Sequence, residues 1–185
     1  EDLKHLQPLP KDDKWFTYQV AYAKKLTDKY GDKIATFYNL FCPGTIIKFM
    51  QPNLEDGEPY LASLVREDKE AVKAAFDVIS DDLAERRVIT EAHVTGVYFS
   101  LQNLLGDGIT REIYDEVFAP AEKKILAAAN SVSDYNILHI CGYAGHRNDL
   151  SWYEDYETAS GLQVEMYDKM EELKALYDAY QKNMI

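Results

Sequence analysis

Cysteine is nearly absent from this chain, long apolar runs are absent altogether, and positive charge is in deficit. Each shortage excludes something. Cys42 and Cys141 are the only two cysteines in 185 residues, which excludes a disulfide-built scaffold. Each lies beside an apolar run, and reduced thiols are the expectation. No stretch approaches the roughly 18 apolar residues of a membrane-spanning helix. The opening EDLKHLQPLP has neither the basic nor the apolar region of a signal peptide, so a cytoplasmic protein with no membrane partner is expected. The 20 Lys and Arg residues face 32 Asp and Glu, a formal net charge of -12, and they are spread through the chain. Nucleic acid and anionic membrane surfaces both select a positive footprint, so neither is an expected partner.

What the chain does contain is ordinary globular material, 46% hydrophobic and 28% charged, enough for one domain over residues 1–185. From Asp12 to Tyr30 the apolar residues Phe16, Val20, Ala23 and Leu26 share one face of a predicted helix that Gly31 stops. KIATFYNLFCPGT then reads as a buried strand ending in Cys42 before the Pro43-Gly44 turn signal. Pro52, Gly57 and Pro59 break the next segment, which predicts a long loop with a short helical piece. A strong helix follows from about Asp68, carried by Val72, Phe76, Ile79 and Leu83.

HVTGVYFSLQN predicts a second strand, with Val97 and Phe99 on one side and Tyr98 and Ser100 on the other. Thr110 is placed to cap a helix striped by Tyr114, Phe118, Ala121, Ile125 and Ala128, and Pro120 should kink or split it. NILHICG predicts a third buried strand, and the last segment reads as a helix with Leu162, Met166, Met170, Leu173 and Leu176 on one face. Helices alternating with strands predict an α/β fold with parallel strands, although three strands are few for such a sheet.

The order of these segments matches a known pattern. EDLKHLQPLP, FYNLFCPGTII, GVYFSLQN, YDEVFAPAEKKILAAA and NILHICG together resemble the uroporphyrinogen decarboxylase superfamily, from Glu1 to about Glu157. The resemblance implies a (β/α)8 TIM barrel with the active site at the C-terminal strand ends, present here as a partial barrel with about three parallel strands. It also implies either a fragment or a half-barrel that a second copy or another chain completes.

Two chemistries come with the resemblance. In the superfamily's thiol methyltransferases, zinc is held by a His-x-Cys pair at a strand end and by a distant cysteine, and the methyl donor is a corrinoid on a partner protein. His139 and Cys141 match the pair, and residues i and i+2 of a strand do point to one face. No cysteine follows Cys141, so Cys42 and His146 are the remaining soft ligand candidates. Without the resemblance, the pair reads as a buried strand end.

The decarboxylases use no metal and bind an acidic tetrapyrrole. Phe49 stands where they carry a Tyr, and Leu101 where they carry a Ser. Cys42, Phe49, Ser100, Gln102 and His146 are the substrate-pocket candidates, and Asp149 reads as a helix cap. The expected activity is zinc-dependent methyl transfer to a small-molecule thiol, with uroporphyrinogen decarboxylation or a non-catalytic binding paralogue as alternatives.

Overall fold

In the computed structural model, residues 2–84, 86–101, 108–143, 146–157, 161–164, 174–175, 177–179 and 182 are described. Helix α1 (Lys14–Tyr30) starts where Asp13 accepts a hydrogen bond from the Trp15 backbone N–H at 2.8 Å, which satisfies one of the open donors of the first turn. It buries Phe16 and Ala23, two turns apart, and leaves Leu26 exposed. Strand β1 (Phe37–Phe41) runs through Cys42 into α2 (Pro43–Phe49), whose first residue is a proline already set at helical φ.

The loop expected next is a helix. Helix α3 (Leu54–Leu83) contains Pro59, and it holds because Leu61, Ala62 and Val65 beyond the proline are buried in the core. The restart expected at Asp68 is present as a break within α3. Asp68 has φ -155° and ψ 83°, and its carboxylate accepts from the Ala71 N–H at 3.0 Å, as a cap does.

The short α4 (Arg87–Thr90) inserts Val88 and Ile89, and β2 (Gly96–Leu101) follows. Thr110 caps α5 (Arg111–Ile113) through a 3.4 Å bond from the Ile113 N–H. A π-helical turn (Tyr114–Phe118) then leads into α6 (Ala119–Asn130). The wider turn answers the problem that Pro120 poses: proline has no N–H for the ladder, and its ring needs room against the preceding turn. Next come β3 (Ile137–Ile140), the antiparallel pair β4 (Gly142–Tyr143) and β5 (His146–Arg147), a 3-10 turn (Leu150–Tyr153), and β6 (Gly161–Val164).

The main sheet has the order β1-β2-β3-β6, and every pair in it is parallel. The three strands expected from the sequence are there, and β6 adds a fourth at the start of the segment expected to close the chain as a helix; residues 174–175, 177–179 and 182 of that segment are helical, and Met166, Met170, Leu173 and Leu176 of its expected stripe lie outside the described residues. The segment Gly161–Val164 is too short for alternation to show, and Leu162 stands four residues from Met166, a spacing that mimics a helical stripe. Neighbours in sequence are neighbours in space, the winding order of a barrel, yet four strands among the described residues make an open sheet and not a closed eight-stranded one.

One sheet face carries Leu40, Val97, Phe99, Leu138 and Ile140, all buried together with Phe76, Phe118, Ile125 and Leu126 of the helices. The opposite face carries Phe37, Asn39 and Phe41 from β1, Tyr98 and Ser100 from β2, and Ile137 and His139 from β3. At the N-terminal end of the sheet, buried Asn136 is fully engaged. Its Oδ1 accepts from the Val97 N–H at 2.9 Å, and its Nδ2 donates to Asn130 Oδ1 at 3.0 Å and to the Ser133 carbonyl at 2.8 Å. Both cysteines are buried and form no disulfide with each other, in line with the reduced thiols expected. Among the described residues no helix is long and apolar enough to cross a membrane.

Candidate functional site at the strand ends

The register sets the site. Phe41 pairs with Ser100, Ser100 with His139, and His139 with Gln163, so one register row crosses all four strands, and from Phe41 to His139 it lies on the face away from the core helices. The Cys141 N–H donates to the Leu101 carbonyl at 2.8 Å, which continues the ladder one residue past β3. Cys141 therefore sits on the same face as His139, two positions on, while Leu138 and Ile140 point into the core.

His139 is 5% exposed and Ser100 2%, so the row is enclosed at this point. The Tyr98 ring stacks on the His139 imidazole, with centroids 5.2 Å apart and planes at 25°, and this fixes the plane of the imidazole. Asn148, 4% exposed, donates from Nδ2 to the Cys141 carbonyl at 3.1 Å.

The other sequence candidates separate from this pair. Cys42 continues β1 by a 3.2 Å bond from its N–H to the Ser100 carbonyl, but it follows Phe41 by one residue and so faces the opposite way. Its thiol meets Thr45 Oγ1 at 3.1 Å on the helix side. Phe49 is 43% exposed, and its ring stands edge-on to that of Phe41 at 5.2 Å, beside the row that holds Ser100 and His139. His146 pairs with Tyr143 in the β4–β5 hairpin that grows from Cys141. Gln102 lies outside the described residues. Asp149 is a cap, as expected: it accepts from the Ser151 N–H at 3.0 Å at the head of the 3-10 turn.

On the helix side, beyond Cys42, lies a cluster that the sequence reading did not single out. Glu122 of α6 is 1% exposed, and its Oε2 accepts from the Tyr114 hydroxyl at 2.5 Å and also from the Tyr156 hydroxyl. The two hydroxyls are 3.3 Å apart. Burial raises the Glu122 carboxyl above its ordinary range, against the hydrogen bonds of Tyr114, Tyr156 and the Cys42 thiol, which favour the anion. Burial and then the charge of Glu122 push the phenols of Tyr114, Tyr153 and Tyr156 well above theirs. The one sequence signal was Glu122 itself, a carboxylate between Ala121 and Ile125 and eight residues from Tyr114, hence near the apolar stripe.

Among the described residues no group of three or more His, Cys, Asp or Glu stands together as a metal cage. His139 and Cys141 nevertheless present one imidazole and one thiol on a single enclosed face, half of the donor set of a tetrahedral zinc. Comparison with protein-family models, with curated proteins and with solved structures finds no match to this chain.

Proposed function

We propose that this chain is a portion of a (β/α)8-barrel enzyme of the uroporphyrinogen decarboxylase superfamily, and that it transfers a methyl group from a corrinoid to a small-molecule thiol. The observation that carries the reading is the placement of His139 and Cys141. They lie side by side at the C-terminal end of the third strand of a sequentially wound parallel sheet, where barrel enzymes keep their chemistry. His139 and Cys141 would hold zinc there, with the acceptor thiol and a residue beyond the described ones completing the set. Zinc, when bound, makes a thiol an anion at neutral pH and so a nucleophile toward the methyl carbon.

The chain's own groups do the rest. Tyr98 fixes the plane of the imidazole, Ser100 offers a hydroxyl in the same row, and Phe41 with Phe49 forms an apolar border on that row. Decarboxylation of a tetrapyrrole is less well supported. The two hydroxyls expected of it are missing, since Phe49 has none and Leu101 is an apolar side chain wholly buried in the core.

The test is to incubate the zinc-loaded protein with methylcobalamin and coenzyme M and follow loss of the methylcobalamin spectrum together with thioether formation. Turnover that disappears in Cys141→Ala is expected. Conversion of uroporphyrinogen to coproporphyrinogen by the metal-free protein would replace this reading with the decarboxylase one.

A further inference from the structure

We infer that Asn148 is a positioning residue for Cys141, an inference that rests on the reading of Cys141 as a zinc ligand. A residue just past the end of a strand has a backbone free to fray, which is a poor platform for a ligand that must be held within about half an ångström. Cys141 is tied at both ends. Its N–H is held by the Leu101 carbonyl at 2.8 Å, and its carbonyl is held by Asn148 Nδ2 at 3.1 Å. With both backbone groups held, the direction of the Cα–Cβ bond that carries the thiol is set.

Asn148 can do this because its own segment is anchored on both sides. Immediately before it, Arg147 pairs with Gly142 across the hairpin that opens from Cys141, so the amide closes the root of that hairpin. Immediately after it, Asp149 caps the 3-10 turn, and Arg111 of α5 donates from Nη1 to the Ser151 carbonyl at 2.9 Å. Further along, the Tyr156 hydroxyl is bound to Glu122, Lys123 pairs with Asp155 at 2.5 Å, and Asn130 donates from Nδ2 to the Glu157 carbonyl at 2.9 Å. The return segment is clamped along α5 and α6, and the buried Glu122 cluster is the deepest of these clamps.

Asn148→Asp tests the donor and not the volume. The side chain keeps its size, loses the N–H, and turns a negative oxygen toward a carbonyl. Two readouts apply: the rate at which iodoacetamide alkylates Cys141 in the native, metal-free protein, with Cys42 as internal reference, and the affinity for Co2+ with its thiolate-to-cobalt charge-transfer band. The expected result is alkylation of Cys141 about tenfold faster with Cys42 unchanged, and Co2+ affinity lower by about tenfold to a hundredfold, the usual cost of losing a group that orients a ligand.

Asn148→Ala, which removes the donor without adding charge, should move both readouts the same way by a smaller factor. It serves in place of Asn148→Asp if the latter unfolds, which rapid alkylation of Cys42 would reveal. Unchanged alkylation and unchanged Co2+ affinity in a folded variant would overturn the inference. Faster Cys141 alkylation in a variant of a protein that binds no Co2+ even as wild type would uphold the role of Asn148 and remove the zinc reading.

Discussion

Tyr114 and Tyr156 both donate to the same oxygen of Glu122, one from the π-helical turn ahead of α6 and the other from the segment that returns after β3. One buried carboxylate thus ties three parts of the chain together, and its protonation state bears on all of them. Burial raises its pKa, so the folded state favours the neutral acid more than the unfolded state does. The stabilisation associated with the neutral form is fully present below the unfolded value near 4.5 and is lost as pH rises through the higher folded value.

Glu122→Gln mimics the neutral form and keeps an acceptor for the phenols. Its stability relative to wild type should therefore rise with pH from about 4.5 upward. Urea denaturation of both proteins at a series of pH values measures the difference. A difference that stayed flat or fell with pH would show that the carboxylate is not strained by burial.

Tyr156→Phe removes one of the two donors and leaves the ring packed against Tyr153 at 5.3 Å. Above the raised pKa of Glu122 a hydrogen bond to the buried charge is worth about 2 kcal/mol, and that loss is expected in wild type at such pH. In the Glu122→Gln background the loss should shrink by about 1 kcal/mol, because the acceptor no longer carries charge. Additive effects in this double-mutant cycle would mean that the two groups do not act on each other.

At Gly96 the first residue of β2 has no room for a side chain. A Cβ there would stand 2.3 Å from the Tyr135 carbonyl oxygen and 3.1 Å from Asn136 Oδ1. Because the nearest atom is backbone, Gly96→Ala must push β2 from β3 and disturb the Asn136 bond to Val97, at a cost of about 3 kcal/mol. A melting temperature within a degree of wild type would contradict the packing described at this end of the sheet.

Much of this arrangement was legible in the sequence because it rests on local chemistry. The caps at Thr110 and Asp149, the restart at Asp68 and the alternation of Val97 and Phe99 against Tyr98 and Ser100 need no tertiary information. The helix from Leu54 was hidden by Pro52, Gly57 and Pro59, since local breakers were outweighed by the burial of Leu61, Ala62 and Val65. Strand β6 was hidden by its length, four residues whose pairing with β3 is entirely non-local. For the site, the shared face of His139 and Cys141 follows from strand geometry. The stacking of Tyr98, the amide of Asn148 and the meeting of Glu122 with Tyr156 depend on segments far apart in sequence, and nothing in their spacing announces them.

The central claim is that His139 and Cys141 hold a zinc ion, and native mass spectrometry of the purified protein tests it directly, reporting bound metal and assembly state in one spectrum. The account predicts about one zinc per site, lost in both His139→Ala and Cys141→Ala and retained in Cys42→Ala, because Cys42 faces the other side of the sheet. Zinc that survived Cys141→Ala, or a folded wild-type protein that took up none when zinc was supplied, would contradict it.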